Sequence, residues 1–210
     1  MVAWLGWFLA SGAWAKDDDD HALMVHALFV GAAHDYRAVP LALTDGAAAG
    51  AAGVVTPFQG SPFDQVTSGG GELGLVHERR GVRVGVAHRW LYPSFSLADG
   101  VAEHGVVGVD REVSVRGVGL RSWRFLLGAE APWTIAPSLD LVGEYHGLRV
   151  PVAIDGEQVR YDGDAFGFSA QAGLRVPLDD DARVNLMLSG TYGLWGHPVA
   201  SGAAGLVWRW

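Results

Sequence analysis

The chain has 210 residues and a formal charge of −8, with 50% hydrophobic and 18% charged residues, which suits one domain with a sizeable core and excludes disorder. Thirty glycines disfavour a helical bundle, and the lack of cysteine removes thiol catalysis, disulfides and thiolate metal sites. The acidic balance argues against a nucleic-acid partner, which would want a basic face.

Residues 1–15, MVAWLGWFLASGAWA, are a short apolar run ending in Ala13-Trp14-Ala15, the small-x-small pattern of a signal-peptidase site, before polarity switches to Lys16 and Asp17–Asp20. The expected organisation is a cleaved signal peptide over 1–15, an acidic periplasmic leader over 16–20 and a barrel over 21–210. Fifteen residues cannot cross a bilayer as a helix, and the later apolar stretch at 22–33 is broken by His26, so any membrane location must come from strands.

From there the period is two. The first expected strand, 21–34, is poorly patterned and its faces stay unassigned. In 70–78, Leu73 and Leu75 alternate with Glu72, Gly74 and Val76, and in 82–93 Val82, Val84, Val86, His88 and Trp90 alternate with Arg83, Gly85, Ala87 and Arg89. A long fourth strand, 113–133, sets Phe125, Leu127, Ala129, Ala131 and Trp133 against Arg124, Leu126, Gly128 and Glu130, its length allowing either a bulge near Ser122 or an extension above the membrane. In 138–150, Leu139, Leu141, Gly143 and Tyr145 oppose Asp140, Val142, Glu144 and His146. In 164–178, Phe166, Phe168, Ala170, Ala172, Leu174 and Val176 oppose Gly167, Ser169, Gln171, Gly173 and Arg175. The strand 182–195 sets Val184, Leu186, Leu188, Gly190, Tyr192 and Leu194 against Arg183, Asn185, Met187, Ser189 and Thr191, and 200–210 closes the chain. Short turns at 79–81, 134–137 and 179–181 then lie on one side. Longer connections at 35–69, 94–112 and 151–163 lie on the other with the brief 196–199, the asymmetry of an outer-membrane barrel.

A soluble eight-stranded barrel also alternates, but it turns its apolar face inward around a ligand. Two details favour lipid outside. Aromatics sit at strand ends, with Trp123 and Trp133 ten residues apart, about what a tilted strand needs to cross hydrocarbon. The chain also stops at Trp210 with Trp208, Leu206 and Ala204 on the same face.

That ending, GLVWRW, resembles the carboxyl-terminal signal of Gram-negative outer-membrane barrels, and the strand count and loop asymmetry resemble the small eight-stranded OmpA-type and OmpX-type transmembrane domains. The resemblance implies an all-β fold, an eight-stranded antiparallel up-and-down transmembrane β-barrel in a Gram-negative outer membrane. It further implies that Ala204, Leu206, Trp208 and Trp210 are read by the barrel-assembly machinery, a partner beside the outer-membrane lipid.

The polar face carries Arg83, Arg89, Arg124, Arg175 and Arg183 against Glu72, Glu78, Glu130, Asp140 and Glu144. Isolated ions in a narrow lumen are costly, so a paired network filling the interior is expected. A narrow pore is the competing reading. A lipid-modifying enzyme would need a histidine, a nucleophile and a carboxylate at the rim, for example His146 with Glu144 and a serine from another strand. No HExxH, phosphate loop or nucleophile elbow is present, and the acidic DGEQVRYDGD stretch is no EF-hand, so no catalytic residue, cofactor or metal is expected. The function expected is a structural or surface-interaction role, with a secreted ligand-binding barrel as the alternative outside the membrane.

Overall fold

Alternation of apolar and polar residues with little helix propensity builds strands long enough to curl and close, and in the computed structural model they do. It describes residues 21–34, 42–45, 66–93, 113–115, 119–154, 157–196 and 199–210. The expected signal peptide, the acidic leader and the Gly46–Gly53 tract lie outside the described residues.

The strands are β1 (His21–His34), β2 (Ala42–Asp45), β3 (Val66–Arg79), β4 (Val82–Pro93), β5 (Val113–Val115), β6 (Gly119–Glu130), β7 (Ala136–Ile154), β8 (Glu157–Pro177), β9 (Val184–Trp195) and β10 (Val199–Arg209). Eight of them run in the order β8-β9-β10-β1-β3-β4-β6-β7, and β7 pairs back onto β8 to close an antiparallel barrel. The first and last long strands meet in register from Met24 opposite Arg209 to His34 opposite Val199. Closure leaves the ring itself with no open edge.

The β3–β4 hairpin turns on Arg80 and Gly81, with φ of 52° and 78°. Such left-handed pairs match the twist of the flanking strands, and glycine takes the second position without a Cβ penalty.

Three expectations change. The fourth strand contains no bulge at Ser122: β6 pairs with β4 and with β7 without interruption and ends at Glu130, leaving Ala131 and Trp133 in the turn before β7. Register shifts fall instead between Phe168 and Ser169, where β8 meets β9, and between Leu43 and Asp45, where β2 meets β8. The stretch 151–163 is chiefly strand, because β7 and β8 stay paired out to Ile154 opposite Glu157. On this extension β5 adds to β7 at Val152–Ile154 and β2 adds to β8 at Arg160–Asp162.

The outer face is apolar. Phe29, Leu73, Leu75, Phe125, Leu127, Leu139, Leu141, Leu188 and Leu194 all point outward and are exposed. β1 resolves as well, with Met24, His26, Leu28 and Val30 inside and Leu23 and Phe29 outside.

Candidate functional site

The lumen is stratified along the strands. At the level nearest the short turns lies a polar layer of Arg83, Glu130, Asp140, Arg175 and Asn185, all buried. Arg175 donates from Nε to Glu130 Oε1 at 2.9 Å and from Nη1 to Asn185 Oδ1 at 3.0 Å, while the Asn185 amide donates to the Ala182 carbonyl at 2.8 Å. Arg83 Nη1 stands 3.5 Å from Glu130 Oε2 and 3.4 Å from Asp140 Oδ2. That reach depends on Gly128, which lies opposite both Arg83 and Asp140 in the ladder; a Cβ there would collide with the Asp140 side chain.

Above this layer the inward side chains are apolar and form two clusters, Met24, Val76, Met187 and Val207 from β1, β3, β9 and β10, and Ala87, Leu126 and Val142 from β4, β6 and β7, all buried; the two are taken together as an apolar septum. On β8 the corresponding level is Gly173, whose missing side chain leaves room for the Met187 methyl and the Ser138 hydroxyl.

Above the septum is the central charged layer, organised on Glu72. Its Oε2 accepts from Arg89 Nε at 2.8 Å and from Arg124 Nη1 at 2.7 Å, and its Oε1 is 3.0 Å from His26 Nε2. Arg124 Nη2 also donates to Gln171 Oε1 at 2.9 Å, and Arg89 Nη1 to Ser201 Oγ at 3.2 Å. Glu144 Oε1 stands 3.4 Å from Arg124 Nε and 3.9 Å from Arg89 Nη1. Each layer is neutral by itself: Arg89 and Arg124 face Glu72 and Glu144, while Arg83 and Arg175 face Glu130 and Asp140. Charges withdrawn from water persist at modest cost only when paired, and each of these has an opposite charge beside it. Leu91, Leu120 and Leu148 are buried inward one step further toward the long-loop end.

Arg183 does not belong to this set. It has the inward parity of β9 but precedes that strand's first residue, so it sits in the turn, its side chain 74% exposed and 3.8 Å from Asp181. Glu78 lies at the turn-end rim, where Arg209 Nη2 approaches its Oε2 at 3.4 Å. Ala204, Leu206 and Trp210 are on the outer face of β10 and its end, with Trp208 half-buried. Ser122, Gln171, Thr191, Ser201 and Asn185 join the polar layers with no sequence signal beyond inward parity on their strands, and His26 joins them from β1, whose faces the sequence leaves unassigned.

A serine does come to His146: Ser122 lies directly opposite it in the β6–β7 ladder. Its hydroxyl donates to Glu144 Oε1 at 3.2 Å, and His146 Nε2 is 3.9 Å from Glu144 Oε2. The serine proton is thus held by the carboxylate and not by an imidazole base, and all three groups are buried in the lumen, away from any molecule on the outer face. Among the described residues no group of three or more His, Asp or Glu side chains is placed to hold a metal.

No family model and no curated protein matches the chain. Among solved structures, Neisserial surface protein A is similar over 92% of this chain and 98% of its own, at 10% identity and a TM-score of 0.45. Ail of Yersinia pestis, solved with the heparin analogue sucrose octasulfate, is similar over 89% and 99%, at 10% identity and 0.42. The translocator domain of the autotransporter NalP from Neisseria meningitidis covers 100% and 96%, at 12% identity and 0.31. The barrel assignment itself rests on this chain's own closed hydrogen-bond ladder.

Proposed function

We propose that this chain is an outer-membrane barrel of a Gram-negative cell with a structural or surface-interaction role, its lumen plugged by two neutral layers of paired charge. The observation that carries the reading is the inside-out distribution: the exposed outer wall is leucine, valine and aromatic, while arginines and carboxylates fill the interior. A soluble ligand-binding barrel needs the reverse arrangement. Trp123 on the outer face of β6 and the exposed Trp133 in the turn at its end, ten residues apart in sequence, fit a band of the apolar height of a bilayer crossed by tilted strands. Buried side chains, paired by charge and interrupted by apolar ones, leave little continuous water-filled cross-section, which favours a plug over a pore.

Membrane fractionation of a Gram-negative host tests the location: the folded chain is expected with the outer membrane, and recovery as a soluble periplasmic protein overturns it. Planar-bilayer recording of purified protein is expected to give no steady open channel, and a persistent large conductance overturns the plug. The carboxyl-terminal pattern adds an assembly role for Trp208 and Trp210. Replacing both by Ser is expected to cut outer-membrane insertion far more than Arg209→Ser, and equal insertion of the two variants overturns that role.

A further inference from the structure

The two polar layers differ in how well their atoms are satisfied. In the turn-end layer, Arg83 Nε and Nη1, Ser138 Oγ and both carboxylate oxygens of Asp140 are buried with no hydrogen-bond partner among the described residues. The contacts of Arg83 with Asp140 and Glu130, at 3.4 and 3.5 Å, are at the outer limit of a direct hydrogen bond. Five such atoms on three neighbouring residues are a concentration that native interiors relieve with bound water.

We infer that the turn-end layer is a water-binding chamber, in which water bridges Arg83, Asp140 and Ser138, open to solvent at the turns and closed by the apolar septum. Water fits the chemistry better than an ion, because the layer is already neutral and only a small dipole can both accept from the guanidinium and donate to the carboxylate. The route in is polar throughout. Side-chain exposure falls from 36% at Arg209 to 13% at Glu78, 8% at Arg175, 5% at Arg83 and 0% at Asp140. Glu78 lies opposite Arg83 in the β3–β4 ladder, so the rim pair leads directly to the chamber. Beyond Asp140 the next inward residue on β7 is Val142, and the continuity ends. In the central layer Arg124 Nε and Ser169 Oγ are also buried without a hydrogen-bond partner among the described residues, but there Glu72 is saturated by three donors and the other nitrogens of Arg124 both donate. The chamber makes the lumen a half-channel, and its closed end rests on the plug reading above.

The chain has no cysteine, so single-cysteine variants report without background. Ser138→Cys and Ser122→Cys in the full chain, folded in lipid nanodiscs that leave both ends reachable, are treated with 2-aminoethyl methanethiosulfonate and followed by mass spectrometry. The Ser138→Cys variant is expected to react at least about tenfold faster than the Ser122→Cys variant; equal rates, whether fast or slow, overturn the chamber. If Ser138→Cys does not fold, the unaltered protein supplies the readout by NMR. The Arg83 Nε–H is expected to show magnetisation transfer from water and the Arg89 Nε–H, which donates to Glu72 at 2.8 Å, none, and no transfer at Arg83 overturns the inference. Failure of the plug is read separately, as steady bilayer conductance.

Discussion

On β7 the two faces of one wall obey different rules. Leu139, Leu141 and Tyr145 point out and are about half exposed, while Asp140, Glu144 and His146 point in and are nearly sealed. The outward residues need only be apolar, because a surrounding apolar medium sets no geometry and accepts any hydrocarbon shape. The inward ones need polar partners, which for Glu144 and His146 are side chains beyond the septum and for Asp140 are Arg83 and the bridging water inferred above. Tolerance to substitution therefore alternates residue by residue along the strand, and it depends on chemical type outside and on pairing inside.

The largest effect expected from this contrast is at Glu72. Glu72→Ala strips Arg89, Arg124 and His26 of their shared acceptor and leaves two buried arginines to Glu144 alone, one charge in excess, a loss of about 3–5 kcal/mol, to be read from urea unfolding in lipid vesicles. Glu72→Gln, which keeps two acceptor lone pairs, is expected to lose less, whereas equal losses would mean that shape and not charge holds the layer. Next comes the outer face, where Leu141→Arg is expected to cost about 2–4 kcal/mol by placing a cation at mid-band depth. Leu141→Ile there is expected to be near neutral, and a large loss from it would refute the claim that only chemical type counts outside. Val142→Thr in the septum conserves volume but adds a hydroxyl at a fully buried site with apolar neighbours. It is expected to cost about 1–3 kcal/mol, and no loss would show that water already reaches Val142.

What could be read in the sequence follows from the same contrast. Along β7 and β9 one face is apolar and the other polar, so the period of two is plain and the strand can be placed to within a few residues. On β1 both faces are apolar, Met24, Leu28 and Val30 inside against Leu23 and Phe29 outside, so hydropathy carries no phase and only the ladder to β3 and β10 assigns the faces. The extension of β7 and β8 escaped because residues 151–163 carry no clear apolar–polar alternation, yet the pairing continues to Ile154 and Glu157. The charges on the inner face were legible as an inventory, but their partners were not. Arg83 and Arg89 share a strand and a face yet belong to different layers, Arg83 with Asp140 and Arg89 with Glu72. Which carboxylate each meets is set by strand stagger and barrel radius. The meeting of Ser122 with His146 likewise depends on a register between strands that spacing along one strand does not encode.

The smallest expected effect separates parity from position. Arg175 and Arg183 both have inward parity on neighbouring strands, but Arg175 lies within β8 and is held by Glu130 and Asn185, while Arg183 lies one residue before β9. Its only described carboxylate contact is Asp181 at 3.8 Å, with both side chains about three-quarters exposed. An exposed pair this loose is screened by solvent and contributes next to nothing. Arg183→Ala is therefore expected to leave the urea midpoint unchanged within the scatter of replicate measurements, while Arg175→Ala lowers it clearly by leaving Glu130 buried beside a weakened partner set. A loss from Arg183→Ala comparable to that from Arg175→Ala would place the Arg183 guanidinium inside the lumen, and the turn-end layer would then carry one more cation than its carboxylates balance.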